Sequence, residues 1–430
     1  MYSFQHMNND AIIAGGGVAG SAAAAVLAGF GYHVLLIEPG LQHAKRLAGE
    51  VIHPPGVAAL KELGLLACLE KAGGVPVQGF AVLPGPYRLP YKDVPEFTMP
   101  GLAIDHAIMA ETLLREVTKL DRVTVWRGAR VTGIDLNRTG CVTATVNRDG
   151  SEDQLSAKLL VAADGRSSHL RGMAGIHHKQ VHLSSMVGYT LKHSRLPNPG
   201  FGHLFAGGPS PVLAYELGNG DIRIMLDLPK PEHASASLNA LPDYLRSDVE
   251  QAMDTETPLR AANYSVIPQA VYRGRMVCVG DAGGCCHPLT ATGLSACMRD
   301  AVLLRQALSD TKNEIPKALR RYSALREGPQ RTRLVSAKAL YDVFRAETPE
   351  TRLLRQGLFR YWQRARGRKA TMELLSTYEA SRLIMVREYL QVCRYALPDL
   401  LRSGAARSDA MVGLSRAFLK FVGEACMGCK

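Results

Sequence analysis

Residues Asp10 to Glu38 read DAIIAGGGVAGSAAAAVLAGFGYHVLLIE, and their pattern decides the fold. Ala11 to Ala14 is a short apolar strand, Gly15-Gly16-Gly17-Val18-Ala19-Gly20 is a G-x-G-x-x-G turn, Val18 to Ala28 is an Ala-rich helix, and His33 to Ile37 is a second strand. Three glycines have separate mechanical tasks. Gly15 permits the tight turn, Gly17 lets backbone approach a pyrophosphate, and Gly20 lets the helix pack closely on the strand. Glu38 closes the second strand 18 residues after Gly20, where an acid accepts hydrogen bonds from a ribose. This order predicts a βαβ dinucleotide-binding unit at the head of an α/β fold.

Two later stretches repeat the theme of a strand ending in an acid. Met276 to Leu308 reads MVCVGDAGGCCHPLTATGLSACMRDAVLLRQAL: a strand ends in Gly280-Asp281, a turn rich in Gly, Cys and Pro follows, and a helix opens near Gly293. An Asp at a strand's carboxyl end lies at the rim of an open sheet. A helix N-terminus beside it offers free N–H groups and a partial positive charge. The second stretch, AADGRSS at 162 to 168, puts Asp164-Gly165 after the strand Leu159 to Ala163.

A chain of 430 residues predicts two or three domains. Its 47% hydrophobic and 21% charged content is that of a soluble globular protein and excludes wholesale disorder. The net charge of +12 is concentrated in residues 331 to 430, which carry 19 Lys+Arg against 9 Asp+Glu. Nine cysteines without regular spacing read as reduced thiols of a cytoplasmic protein. Cys426-Met-Gly-Cys429 lacks the second pair of a structural zinc site and reads as a chain end, so no metal site is expected. MYSFQHMNND has no basic signal-peptide region, and no stretch of 18 uninterrupted apolar residues predicts a spanning helix.

Between the motifs, helical spacing appears at Val57 to Leu66, with Gly64 as a stop signal, and at Ala107 to Leu120. Strands are expected at Val123 to Trp126, Arg130 to Ile134, Cys141 to Val146 and Leu159 to Ala163, with a hairpin turn at Asn147-Arg-Asp-Gly150. From His182 to Pro268 the signal is β, with strands at Met186 to Leu191, Val212 to Leu217 and Asp221 to Leu228. After Pro329 nearly everything reads as helix. Thr351 to Lys369 carries seven Lys/Arg and no acid, with Leu354, Leu358, Tyr361 and Trp362 on one face. Such a helix either packs with a solvated face or lies on an anionic membrane surface. No nucleic-acid-reading motif accompanies the charge, so nucleic acid is not an expected partner.

GGGVAG with Glu38, AADGRSS, and GDAGGCCHPLTATGLS at 280 to 295 occur in an order that resembles the FAD-dependent monooxygenases of the aromatic-hydroxylase type. RLAGE (46 to 50) and HPLTATG (287 to 293) are most similar to squalene monooxygenase and related epoxidases of lipophilic substrates. The resemblance covers residues 11 to about 309. It implies a Rossmann-like FAD-binding domain from 1–75, 101–183 and 264–330 and an interleaved β-sheet substrate domain from 76–100 and 184–263; the basic helical pattern adds a C-terminal helical region at 331–430. It further implies that Gly15, Gly17 and Gly20 hold the FAD pyrophosphate and that Glu38 binds the adenosine ribose. Arg46 would lie near the diphosphate and ribityl chain, Val131 would contact the adenine through backbone, and Asp281 would serve the ribityl and diphosphate region. Leu294 would put an N–H near the flavin pyrimidine edge, while Asp164 and Arg166 match a motif linked to FAD and NADPH. Where the family usually has an Arg at a helix start, this chain has His106, with Arg115 nearby and out of register.

The implied activity uses NADPH or NADH and O₂ to epoxidise or hydroxylate an isoprenoid or prenylated aromatic through a C4a-hydroperoxyflavin. The cofactor carries the hard chemistry, so no catalytic side chain is named. A flavin-dependent reductase of polyprenyl double bonds is the alternative, and a membrane-associated protein that holds FAD structurally is a third reading. The expected location is cytoplasmic, with peripheral membrane contact through the basic C-terminal helices left open. Cys285 and Cys286 read as a packed small-residue turn rather than a covalent flavin link.

Overall fold

The computed structural model describes residues 9–402 and 407–427. Its first sheet is built from near-continuous apolar runs, as strands covered on both faces require. The order is Tyr272–Arg273, Met276–Cys278, Leu159–Ala162, Ala11–Ala14, Val34–Glu38 and Val123–Arg127, all parallel except the short first strand. Alternate residues divide between two cores. Ile13, Leu36, Val161 and Val277 face the helices Val18–Gly29, His106–Val117 and Thr292–Asp310. Ile12, Leu35, Leu160 and Met276 face a three-stranded meander, Ala129–Asp135, Val142–Arg148 and Ser151–Ala157. The hairpin expected at Asn147 to Gly150 is there, with Asp149 at φ +51° and Gly150 at φ +80°.

The second sheet has seven strands, in the order Leu259–Pro268, His178–Leu191, Ile222–Leu228, Val212–Glu216, Gly202–Phe205, Gly79–Leu83 and Tyr87–Pro90. One face buries Val187, Phe205, Ile224 and Leu226 against helices that include Asp243–Thr255. The other buries Met186, Leu204, Leu213 and Met225 against the C-terminal helices. The expected domain boundaries at 183/184 and 263/264 fall inside the strands His178–Leu191 and Leu259–Pro268, each of which runs unbroken across its boundary.

Two expectations for the C-terminal region change. A 31-residue helix, Ile315–Arg345, begins well before Pro329 and carries that proline inside it, so no break falls at 330/331. Thr351 to Lys369 is two helices, Pro349–Trp362 and Ala365–Leu375. Leu354, Leu358, Tyr361 and Trp362 of the first are buried in the protein, so of the two alternatives for this stripe the packed one holds. The basic side is partly neutralised by Arg360–Asp399 and Arg368–Asp93, each at 2.6 Å. Among the described residues no helix is long and apolar enough to cross a membrane. Cys429 lies outside the described residues.

Candidate active site

The strand register sets the three motifs along one rim. Ala14 lies opposite Ile37 and Ala162, and Ala162 opposite Cys278, so Gly15, Glu38, Asp164 and Asp281 follow at the same carboxyl edge. Gly15 sits at φ +107°, and a Cβ there would strike the Ala163 carbonyl. A Cβ on Gly20 would overlap the carbonyl oxygen of Gly15, whereas one on Gly17 would meet no atom within 4 Å. The helix Val18–Gly29 has no side-chain cap, which leaves its first-turn N–H groups free for an anion. Glu38 is fixed by accepting from Gly16 N–H (2.7 Å) and Gly40 N–H (2.8 Å) and retains lone pairs for a ligand hydroxyl.

The other motifs close on this loop. Gly280, at φ +58°, backs onto Ala19 of the glycine turn, so the two halves of the rim touch. Asp281 is half-buried in the short 3₁₀ turn Gly280–Gly283. Asp164 accepts from Leu170 N–H (3.1 Å) through one oxygen, while its other oxygen is buried without a partner. Arg166 turns away from it, donating to the Ala262 carbonyl (2.6 Å) with its guanidinium 5.8 Å from the Tyr264 ring. Buried Leu294 packs against Gly49 of the RLAGE loop. Val131 sits in the meander, its side chain buried with Ile37 and Trp126.

His106, which stands where the resemblance expected an arginine, bonds to the RLAGE loop on both sides of its ring. Its Nδ1 donates to the Gly49 carbonyl (2.9 Å), and its Nε2 accepts from Arg46 (3.1 Å). Burial, and then the Arg46 charge, lower its pKa to about 4, so a neutral imidazole holds the Arg46 guanidinium. Arg115 lies in the last turn of the same helix, away from this pair.

The turn Pro288–Thr290 and Ala291 (φ +50°) lead into the helix Thr292–Asp310, whose first turn also lacks a side-chain cap. Several side chains that the sequence reading missed fix this turn. Buried His53 donates from Nε2 to the Thr290 carbonyl (2.8 Å) and accepts at Nδ1 from Tyr91 OH (2.8 Å); burial lowers its pKa to about 4. Arg326 donates to the Gly283 carbonyl (2.8 Å) and pairs with Asp300 (2.9 Å), which accepts from Gly280 N–H (2.8 Å). Arg171 donates to the Ala282 carbonyl (2.9 Å), and Arg333 to the Gly284 carbonyl. A buried ion pair, Arg223 with Glu50 at 2.9 Å, ties the RLAGE loop to the second sheet. Burial pushes the Cys285 thiol up to about 12 and raises Cys286 too, which keeps both protonated as packing groups.

Asp227 and His287 form a second buried node at 0% and 2% exposure. His287 Nε2 lies 3.1 Å from Asp227, which also accepts from Ser184, from Ser210 (2.6 Å) and from Tyr341 OH (2.8 Å). Burial raises the Asp227 carboxyl, but the hydrogen bonds, His287's first, outweigh that and leave it below its ordinary value. No spacing rule could have joined residues this far apart in the chain.

The open space over Gly17, the two uncapped helix N-termini and the orphaned Asp164 oxygen fit a dinucleotide such as FAD. An FAD-binding domain family matches residues 8–210, and the squalene epoxidase family matches residues 156–411. Squalene epoxidase erg1 of Aspergillus fumigatus is 30% identical over 387 residues, covering 84% of this chain and 80% of that one. This chain belongs to the squalene epoxidase family. Mouse squalene monooxygenase is 29% identical over 412 residues, covering 90% of this chain and 71% of its own. The fold of this squalene epoxidase family member also matches OxyS anhydrotetracycline hydroxylase from Streptomyces rimosus, with TM-score 0.69, 20% identity, and 86% and 76% of the two chains covered. p-Nitrophenol 4-monooxygenase PnpA from Pseudomonas putida matches with TM-score 0.68, 18% identity, and 89% and 98% covered. The protein is an FAD-dependent monooxygenase with reduced nicotinamide as electron donor, and the reductase alternative falls away.

Proposed function

We propose that this monooxygenase epoxidises or hydroxylates an isoprenoid, or an aromatic bearing a prenyl chain. The observation that carries this reading is the apolar cluster beside the flavin turn. Leu289 and Ala291 of the turn and Leu47 of the RLAGE loop join Phe80, Met186 and Met225 in one continuous cluster. The cluster gives the turn an apolar, water-poor neighbourhood, the surroundings a lipophilic substrate chain would favour over water.

When bound, FAD supplies the oxygen-activating chemistry. Gly15, Gly17 and Gly20 would expose backbone to its diphosphate, Arg46, held by His106, would offset the diphosphate charge, and Glu38 would accept from the ribose hydroxyls. Asp281 and the free oxygen of Asp164 would accept from the ribityl side, Val131 would meet the adenine through backbone, and Leu294 would offer its N–H to the pyrimidine edge. Arg166 would serve the nicotinamide donor. The working division is a flavin domain interleaved with the seven-stranded sheet and backed by the C-terminal helices.

Peripheral contact with an anionic bilayer is part of the same reading, through a different surface from Thr351 to Lys369. On the helix Arg382–Arg402, Leu383 (83% exposed), Leu390, Leu397 and Leu401 form one exposed stripe interleaved with Arg387 and Arg394. Leucines at helical spacing enter the acyl boundary while arginines meet lipid phosphates.

The test is a flavin spectrum of the purified protein and a screen for NADPH oxidation with squalene-like, quinone and prenylated quinolone compounds. Substrate-stimulated oxidation by an acyclic polyene is expected; protein that stays colourless after FAD reconstitution refutes the reading. Sedimentation with phosphatidylserine vesicles that is lost in a Leu383→Glu, Leu390→Glu variant supports membrane contact, and equal sedimentation of both proteins refutes that part.

A further inference from the structure

We propose that Asp227, His287 and Tyr341 are a positioning set through which the long C-terminal helix fixes the flavin turn. The inference rests on the reading that the turn at 288–291 adjoins FAD. Asp227 is fully buried, and no Lys or Arg side chain pairs with it among the described residues; its partners are hydrogen-bond donors, His287 among them. An isolated buried carboxylate is costly, so each donor it loses leaves a lone pair that water cannot reach. The donors come from separate elements: Ser184 from a bulged strand, Asn263 (3.3 Å) from the strand paired with it, Ser210 from a loop, His287 from the flavin turn and Tyr341 from the helix Ile315–Arg345.

The hydrogen bonds also fix the imidazole. Nδ1 of His287 accepts from Leu289 N–H (3.1 Å), so the ring proton sits on Nε2, 3.1 Å from both the Asp227 carboxylate and the Ser184 hydroxyl that itself donates to Asp227. Tyr341 stacks on the ring with centroids 4.0 Å apart while its hydroxyl reaches the second Asp227 oxygen at 2.8 Å. The ring is therefore clamped by a face, a carboxylate and a backbone amide. That amide belongs to the turn in which Ala291 is held at φ +50°, a conformation a residue with a Cβ rarely adopts. Strain of this kind persists where surrounding contacts over-determine it. Arg326, Arg333 and Tyr341 are spaced by seven and eight residues, hence on one side of the helix, and the two arginines hold Gly283 and Gly284 just upstream. The row continues from the start of the flavin loop to its turn.

The test uses full-length Tyr341→Phe, Asp227→Asn and, as a control elsewhere in the C-terminal helices, Arg360→Ala. FAD binding to the apoprotein is read by quenching of flavin fluorescence, and the bound flavin by its visible circular dichroism. Tyr341→Phe keeps the stacked ring and loses only the hydroxyl; about ten-fold weaker FAD binding and an altered visible dichroism are expected, with far-ultraviolet dichroism unchanged. Arg360→Ala should leave both readouts at wild-type values. Wild-type affinity and dichroism in Tyr341→Phe overturn the proposal, and that variant decides alone if Asp227→Asn does not fold. An equal change in Arg360→Ala also overturns it, since the effect would then be general loosening. Wild-type protein that binds no FAD overturns the functional reading and this proposal together; FAD-binding wild type with unchanged variants overturns only this one.

Discussion

The rim of the parallel sheet and the helix Ile315–Arg345 hold the same flavin loop by opposite chemistry. The rim works with bare backbone: Gly15 and Gly20 bring main chains together, and Gly280 lies against the Ala19 and Cys297 side chains, where any Cβ would collide. The helix works with long side chains, as Arg326, Arg333 and Tyr341 reach carbonyls and a carboxylate that the chain folded elsewhere. Backbone contact tolerates no change, whereas a side-chain clamp can be trimmed one hydrogen bond at a time.

That contrast ranks the expected effects. Gly20→Ala should be the most severe, because its Cβ must displace the Gly15 carbonyl. Loss of both flavin and folded protein is expected, read by the flavin-to-protein ratio and thermal unfolding; a yellow, stable variant would break the contrast. Next comes pH. His53, His106 and His203 titrate at about 4 in the folded protein, chiefly because burial disfavours their charged forms. The unfolded chain takes up those protons near the ordinary value of about 6.5. Between these values it binds more protons, so stability should fall as pH drops from about 6.5 to 4 and level off above 7. Denaturant unfolding at several pH values checks this, and a flat profile contradicts it.

Arg326→Met should cost about 3 kcal/mol, because it strands the buried carboxylate of Asp300 beside Gly280. Asp281→Ala should weaken FAD binding about ten-fold and spare stability. Arg360→Ala breaks a half-exposed pair with Asp399 and should change stability by less than about 1 kcal/mol in denaturant titration. If Arg360→Ala proved costlier than Arg326→Met, burial would not be what ranks these clamps.

The same contrast governs what could be read in advance. The rim was legible because its rules act over a few residues: a glycine spacing, a strand before it and an acid after the next strand. Assigning Arg46, Leu294 and Asp281 to one cofactor needed the family resemblance. The back wall was not legible, because Arg326 and Tyr341 show no local sign of the carbonyl or carboxylate they will meet. Pro329 pointed to a break that tertiary packing overrides, since the helix continues through it. Thr351 to Lys369 had the pattern of a surface helix, but the pattern does not say whether lipid or protein covers its apolar side. The helix Asp243–Thr255 was missed inside a β-rich stretch although Leu245, Val249 and Ala252 carry helical spacing.

The most direct test of the central claim is an isotope experiment on the FAD-loaded protein with NADPH, ¹⁸O₂ and a squalene-like polyene. The split flavin site beside an apolar cluster predicts one ¹⁸O atom in the product and no turnover without oxygen. Product formed anaerobically, or carrying only oxygen from water, would contradict it.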